Sequence, residues 1–144
     1  MKKYLYGLTV FALALFLVGC GGGDDVASHD KYNNKLECVH TYTSGEDKMV
    51  IYFDNDNKAI GLDYYSYADS DKVTEEQYNK VKERQCSGEG EWKKEWIKIC
   101  DFTRNSEKVE AHIYVDNGEW FGEYNTKQDI LDGKVDDLYS FTCK

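Results

Sequence analysis

Apolar residues follow two periods along the chain. In 48–54 (KMVIYFD), Met49, Ile51 and Phe53 alternate with Val50 and Tyr52. In 58–67, Ile60, Leu62 and Tyr64 share one face. The turn cluster Asp54-Asn55-Asp56-Asn57 between them predicts an antiparallel meander with one face buried. Val109, Ala111, Ile113 and Val115 alternate in the same way. Asn117-Gly118 then predicts a tight hairpin, since both residues tolerate positive φ, with Trp120-Phe121 starting a return strand. Elsewhere the period becomes 3.6. Thr74, with Gln77 three residues on, starts a helix whose thin stripe is Tyr78, Val81 and Gln85. A second helix is predicted over 126–139, with Ile130, Leu131, Val135 and Leu138 as its stripe and Gly133 weakening it by up to about 1 kcal/mol.

These segments read as one unit written twice. Cys38 is followed thirteen residues later by Ile51-Tyr52-Phe53-Asp54-Asn55, and Cys100 thirteen residues later by Ile113-Tyr114-Val115-Asp116-Asn117. Each half continues with a Gly, a Tyr and a Thr-led helix start, and closes on Cys86 or Cys143. The expected architecture is α+β: an antiparallel sheet with two helices on one face, built as an internal ββ(β)α repeat with halves near 36–86 and 96–143.

What precedes residue 35 has neither period. Met1-Lys2-Lys3 is a short positive start, and 4–18 (YLYGLTVFALALFLV) is uncharged and mostly apolar, the pattern of a secretory signal. The run is short for a membrane span, which takes about 20 residues. It ends in Leu17-Val18-Gly19-Cys20, which resembles the bacterial lipobox. That resemblance implies a diacylglycerol thioether on Cys20, acyl chains such as palmitate, and Cys20 as the mature N-terminus. Each buried methylene contributes about 0.8 kcal/mol to anchoring. Gly21-Gly22-Gly23-Asp24-Asp25 opens a Gly-rich polar stretch that reads as a flexible tether, with His29 solvated in it. The expected organisation is a signal peptide at 1–19, a lipidated tether at 20–34 and a single extracytoplasmic domain at 35–144, held on the outer side of a bacterial cell membrane.

Composition narrows the function. The 144 residues carry a net charge of −9, which argues against nucleic acid as a partner. With 41% hydrophobic and 31% charged residues, wholesale disorder is not expected. Asp54-Asn55-Asp56 fails as a calcium loop, because Lys58, Ala59 and Tyr65 stand where an EF-hand needs an oxygen ligand, Gly and Glu. No zinc-type pair, Walker loop or nucleophile elbow is present, so no metal, cofactor or catalytic residue is expected. His40 and His112 read as polar sheet-face histidines. Exposed aromatics are the remaining candidates for a ligand surface: Tyr65 and Tyr67, opposite Leu62 and Tyr64, with Trp92, Trp96 and Trp120 in the second half.

Setting Cys20 aside leaves Cys38, Cys86, Cys100 and Cys143, an even count that favours two structural disulfides in an exported protein. The repeat admits two symmetric pairings. Each half can close on itself, as Cys38–Cys86 and Cys100–Cys143, or the halves can cross-link, as Cys38–Cys143 and Cys86–Cys100.

The lipobox, the Gly-rich tether, Leu36-Glu37-Cys38, the Thr74-Glu75-Glu76-Gln77 helix start and the terminal Phe141-Thr142-Cys143-Lys144 together resemble small bacterial lipoproteins of the YehR-like kind. Relatives carrying only the first and last cysteines imply a first-to-last bond, hence Cys38–Cys143 and Cys86–Cys100. The resemblance implies no active site. The expectation is a non-enzymatic binding or scaffolding domain at the envelope, whose partner is an envelope protein or glycan. The alternative is a lipoprotein that captures a glycan, peptide or small hydrophobe on its aromatic surface.

Overall fold

The computed structural model describes residues 33–144, so the signal, Cys20 and all but the end of the tether lie outside the described residues. The chain forms strands β1 (Lys35–Tyr42), β2 (Gly45–Phe53) and β3 (Ala59–Asp69), helix α1 (Glu75–Ser87), strands β4 (Ile97–Arg104) and β5 (Lys108–Val115), helix α2 (Lys127–Leu131) and a short β6 (Thr142–Cys143). Single 3-10 turns sit at Ser70–Lys72, Lys94–Trp96, Glu119–Phe121 and Asp136–Leu138. The strands make one open antiparallel sheet in the order β4-β5-β3-β2-β1-β6. The fold is α+β. Asn34 leads into β1: its carbonyl accepts from Phe53 N–H and its side-chain amide donates to the Asp54 carbonyl.

Directly paired residues of an antiparallel sheet point to the same face, so the register arranges the core in rows. Leu36, Ile51, Leu62 and Val115 form one row. The next runs across all six strands: Cys143, Cys38, Met49, Tyr64, Ile113 and Cys100. Both ends of this row are disulfide-bonded. Cys38 pairs with Cys143 across β1 and β6, and Cys100 ties β4 to Cys86 of α1. A bulge between Ile97 and Ile99 turns Cys100 and Phe102 onto this face. Trp92, Phe121, Ile130, Val135 and Leu138 pack onto the rows, while Tyr78 and Val81 of α1 pack on Ala68, Val73 and Val109.

Two expected elements differ. The return strand at Trp120-Phe121 is a 3-10 turn. β5 already pairs with β3 on one edge and β4 on the other, so no edge is left for a hairpin partner. Gly118 has φ −96°, not a positive φ, and Asn117 Oδ1 accepts from Glu119 N–H at 2.6 Å. The glycine is needed for another reason: a Cβ there would lie 1.7 Å from the Ala59 carbonyl oxygen. The helix expected over 126–139 is only five residues long. Gly133 takes φ +71°, its N–H bonds to the Ile130 carbonyl, and Lys134 N–H reaches back to Asp129, a Schellman stop. Ile130, Val135 and Leu138 are buried, but Leu131 is 47% exposed, since the broken helix turns it out.

α1 follows its sequence. Thr74 accepts from Gln77 N–H and the Gln77 side chain accepts from Thr74 N–H, a complete capping box. Gly88, at φ +86°, ends it. The Asp54–Asn57 cluster is a turn closed by Asp54 Oδ1, which accepts from Asp56 and Lys58 N–H at 2.9 Å each.

Candidate functional site

The row beyond Cys38–Met49–Tyr64 is polar. It contains His40, Asp47 and Ser66, continuing to Ala111 and Phe102. Three strands thus place a polar strip on the face that is otherwise the apolar core. Ser66 Oγ donates to Asp47 Oδ1 at 2.6 Å. Asp47 is 3% exposed.

A cavity of about 40 Å³ opens over this strip. His40, Asp47, Met49 and Tyr64 line it from the sheet. The loop after α1 supplies Glu91 and Trp92. This loop is held by Gln85, buried in α1, whose Oε1 accepts from Glu91 N–H. A Cβ on Gly90 would lie 2.2 Å from the same oxygen, so a larger residue there would push the Gln85 side chain off Glu91 N–H. Trp120 closes the cavity from the 3-10 turn at Glu119–Phe121, its ring 6.1 Å from Trp92, which in turn lies 5.4 Å from Tyr64. Asp137, Ser140 and Phe141 complete the wall. His40 Nδ1 donates to the Ser140 carbonyl at 2.8 Å, tying that segment to β1.

The electrostatics are one-sided. Neither Lys nor Arg lines the cavity, whereas three carboxylates do. Burial pushes the Asp47 carboxyl up to about 8, Glu46 adds to this, and the Tyr64 and Tyr42 hydroxyls oppose it. Glu91 is raised by burial and then by the negative charge of Asp137, with Arg84 opposing. The phenols of Tyr42 and Tyr64 are raised by burial and by Asp47. Tyr64 lies near enough to Asp47 for each to perturb the other, yet its hydroxyl makes no well-formed hydrogen bond. The indole N–H of Trp92 is likewise buried without a partner. Buried polar groups left without a partner are uncommon in native folds. Both belong to cavity-lining residues.

Of the five aromatics expected to form a ligand surface, the structure brings Trp92 and Trp120 together. Trp92 is buried at 2% exposure, a wall of the cavity rather than an exposed platform. Trp96 packs against the core edge with Lys93 Nζ 4.6 Å from its ring centre. Tyr65 and Tyr67 lie on the opposite face of the sheet. There Tyr65 stacks on His112 at 4.5 Å, His112 Nε2 pairs with Asp63 Oδ1 at 2.7 Å, and Tyr52 donates to Asp63 Oδ2 at 2.7 Å. Tyr67 donates to Asp69.

Sequence reasoning missed Asp47, Ser66, Glu91 and Asp137. For the first two a signal exists: the alternation Phe53, Ile51, Met49 extended back by two lands on Asp47, and Leu62, Tyr64 extended forward lands on Ser66. A carboxylate at an inward position of a strand is the mark of a buried polar site. Glu91 and Asp137 are brought in by loops and carry no such signal.

Among the described residues no group of three or more His, Cys, Asp or Glu side chains is arranged to hold a metal ion, and no helix is long and apolar enough to cross a membrane. Compared with known proteins, the chain matches no family model, no curated protein and no solved structure.

Proposed function

We propose that this chain is a lipid-anchored extracytoplasmic lipoprotein that captures a small ligand in the cavity between the sheet and the Trp92 loop. The observation that carries the capture reading is the buried Trp92 N–H, which has no partner, on the wall of an aromatic cavity beside the Tyr64 hydroxyl, whose neighbours Asp47 and Ser66 lie outside good hydrogen-bond geometry. A scaffolding domain has no use for a polar strip that costs stability, whereas a binding site does. Export is supported by two disulfides, one within the sheet and one from α1 to β4, and by the signal-like start ending in Cys20. The anchor is the acylated Cys20, and the membrane is the partner it provides.

Asp47 and Glu91, both raised, in one cavity also favour a hydrolytic reading with one acid and one base. Capture is preferred because the buried Trp92 N–H, a donor without a partner, calls for a bound acceptor and has no part in acid–base hydrolysis.

The duplication expected from sequence belongs to this proposal as well. Its support is the strand order, in which β4-β5 and β2-β1 flank β3 as mirrored pairs, and the placing of Cys38 and Cys100 in one row.

The test is intact-mass analysis and membrane fractionation of the full chain. The expected species starts at an acylated Cys20, gains the hydrogens of two disulfides on reduction, and leaves the membrane as Cys20→Ala. A Cys20→Ala protein that is cleaved at the same place and stays bound to membranes overturns the anchor.

A further inference from the structure

Resting on the capture reading, we propose that the cavity takes a small organic ammonium compound with an oxygen acceptor one or two carbons away, the chemistry of an amino alcohol. The charge argument comes first. Asp47 forms the floor, while Glu91 and exposed Asp137 stand at the mouth close enough to repel one another. Three carboxylates from three separate elements converge with no Lys or Arg among them. An ionised carboxylate buried without a cation is costly, so Asp47 keeps its proton in the empty cavity, and a cation supplied from outside removes that cost and lets the proton leave. His40 also lines the cavity, its Nδ1 donating to the Ser140 carbonyl.

The walls select the kind of cation. Tyr64, Trp92 and Trp120 present ring faces and edges, and aromatic walls with carboxylates are how proteins hold ammonium groups. Among the described residues the carboxyl groups are not gathered into a metal-binding cluster, and their spacing around aromatic walls suits an organic cation better. Trp92 N–H is a donor and an ammonium cannot serve it, so the ligand also needs an acceptor oxygen. The Tyr64 hydroxyl, with only the poorly aligned Asp47 and Ser66 beside it, donates to the same ligand oxygen. A cavity of about 40 Å³ holds roughly three waters, so the ligand has only a few non-hydrogen atoms.

The test is a calorimetric and tryptophan-fluorescence titration of the full lipidated chain in detergent micelles. The probes are ethanolamine, ethylamine (no oxygen), 1-propanol (no charge), tetramethylammonium (no N–H) and acetate. Ethanolamine is expected to bind saturably at about 1 mM, ethylamine about tenfold more weakly, and the other three not measurably. Asp47→Asn, close to isosteric, and Glu91→Gln, at the partly exposed mouth, are each expected to weaken ethanolamine about tenfold. The Glu91 variant keeps the test open should the Asp47 variant fold poorly. Ethanolamine failing to bind, or binding equally well to both variants, overturns the proposal. The fate of the capture reading is read separately, from propanol and from a glycan or peptide panel. Saturable binding of a neutral ligand that Trp120→Leu abolishes keeps capture and removes the cation, while no binding by any probe removes both.

Discussion

Ser66 on β3 and Asp47 on β2 sit opposite each other in the register, and the serine hydroxyl donates to the carboxylate at 2.6 Å. The pair replaces what would otherwise be two apolar side chains in the sheet's inner face, and it sets the floor of the cavity. Its position makes the protonation state of Asp47 a matter of stability as well as of binding.

Because burial raises the folded-state pKa of Asp47 to about 8, against about 4 for an exposed carboxyl, the folded protein holds a proton that the unfolded chain releases. Its contribution is fully present below about pH 4 and is lost progressively as pH rises to about 8. A tenfold change in proton affinity corresponds to about 1.4 kcal/mol, so the loss amounts to a few kcal/mol. The groups facing Asp47 are His40 and Tyr42 on β1, Tyr64 and Ser66 on β3, and Glu91 and Asp137 at the mouth, while Glu46, its neighbour in β2, acts on it from the other face of the sheet. Urea unfolding midpoints between about pH 5 and 8.5 are expected to fall in the wild type and to stay much flatter in Asp47→Asn. A wild-type profile as flat as the variant's would show that Asp47 keeps an ordinary pKa.

The two disulfides are expected to contribute unequally. Cys38–Cys143 spans 105 residues and Cys86–Cys100 spans 14. Loop entropy assigns about 4.7 kcal/mol to the former and about 3 kcal/mol to the latter. Denaturant titration of Cys38→Ser/Cys143→Ser and Cys86→Ser/Cys100→Ser proteins checks the order. The shorter bond also fastens α1 to β4, so its loss is expected to raise amide exchange in α1 ahead of the sheet.

Gly118→Ala places a methyl group 1.7 Å from the Ala59 carbonyl oxygen, a backbone atom that cannot swing aside. Gly133→Ala meets open space but keeps a positive φ. Gly133→Ala is therefore expected to cost about 1 kcal/mol, and Gly118→Ala distinctly more, with visible shifts in the spectra of the Glu119–Phe121 turn. Equal costs in thermal unfolding would mean that the Ala59 strand end yields freely.

Ile130 and Leu131 are neighbours with opposite fates, 4% and 47% exposed. Truncation of Ile130 to Ala is expected to cost about 2–5 kcal/mol, and of Leu131 about 0.5 kcal/mol or less. Comparable losses would require the long helix that Gly133 interrupts.

Local chemistry alone determined several features of this protein. Period-two patterning located the strands at Met49–Phe53, Leu62–Tyr64 and Val109–Val115, because an inward position is set by its own neighbours in the strand. Thr74 and Gln77 specified the start of α1, since a capping box is closed within four residues. Tertiary structure decided what depends on distant partners. Trp120-Phe121 is not a strand, because β4 had taken the free edge of β5. The helix after Thr126 stops early, because Gly133 bends the chain to bring Val135 and Leu138 onto the core. The cavity is the extreme case: Asp47 is visible as an inward carboxylate, but Glu91 and Asp137, forty-four and ninety residues further along, meet it only through folding. A site assembled across a sheet leaves no spacing to read, since proximity between loops is fixed by packing rather than by sequence separation.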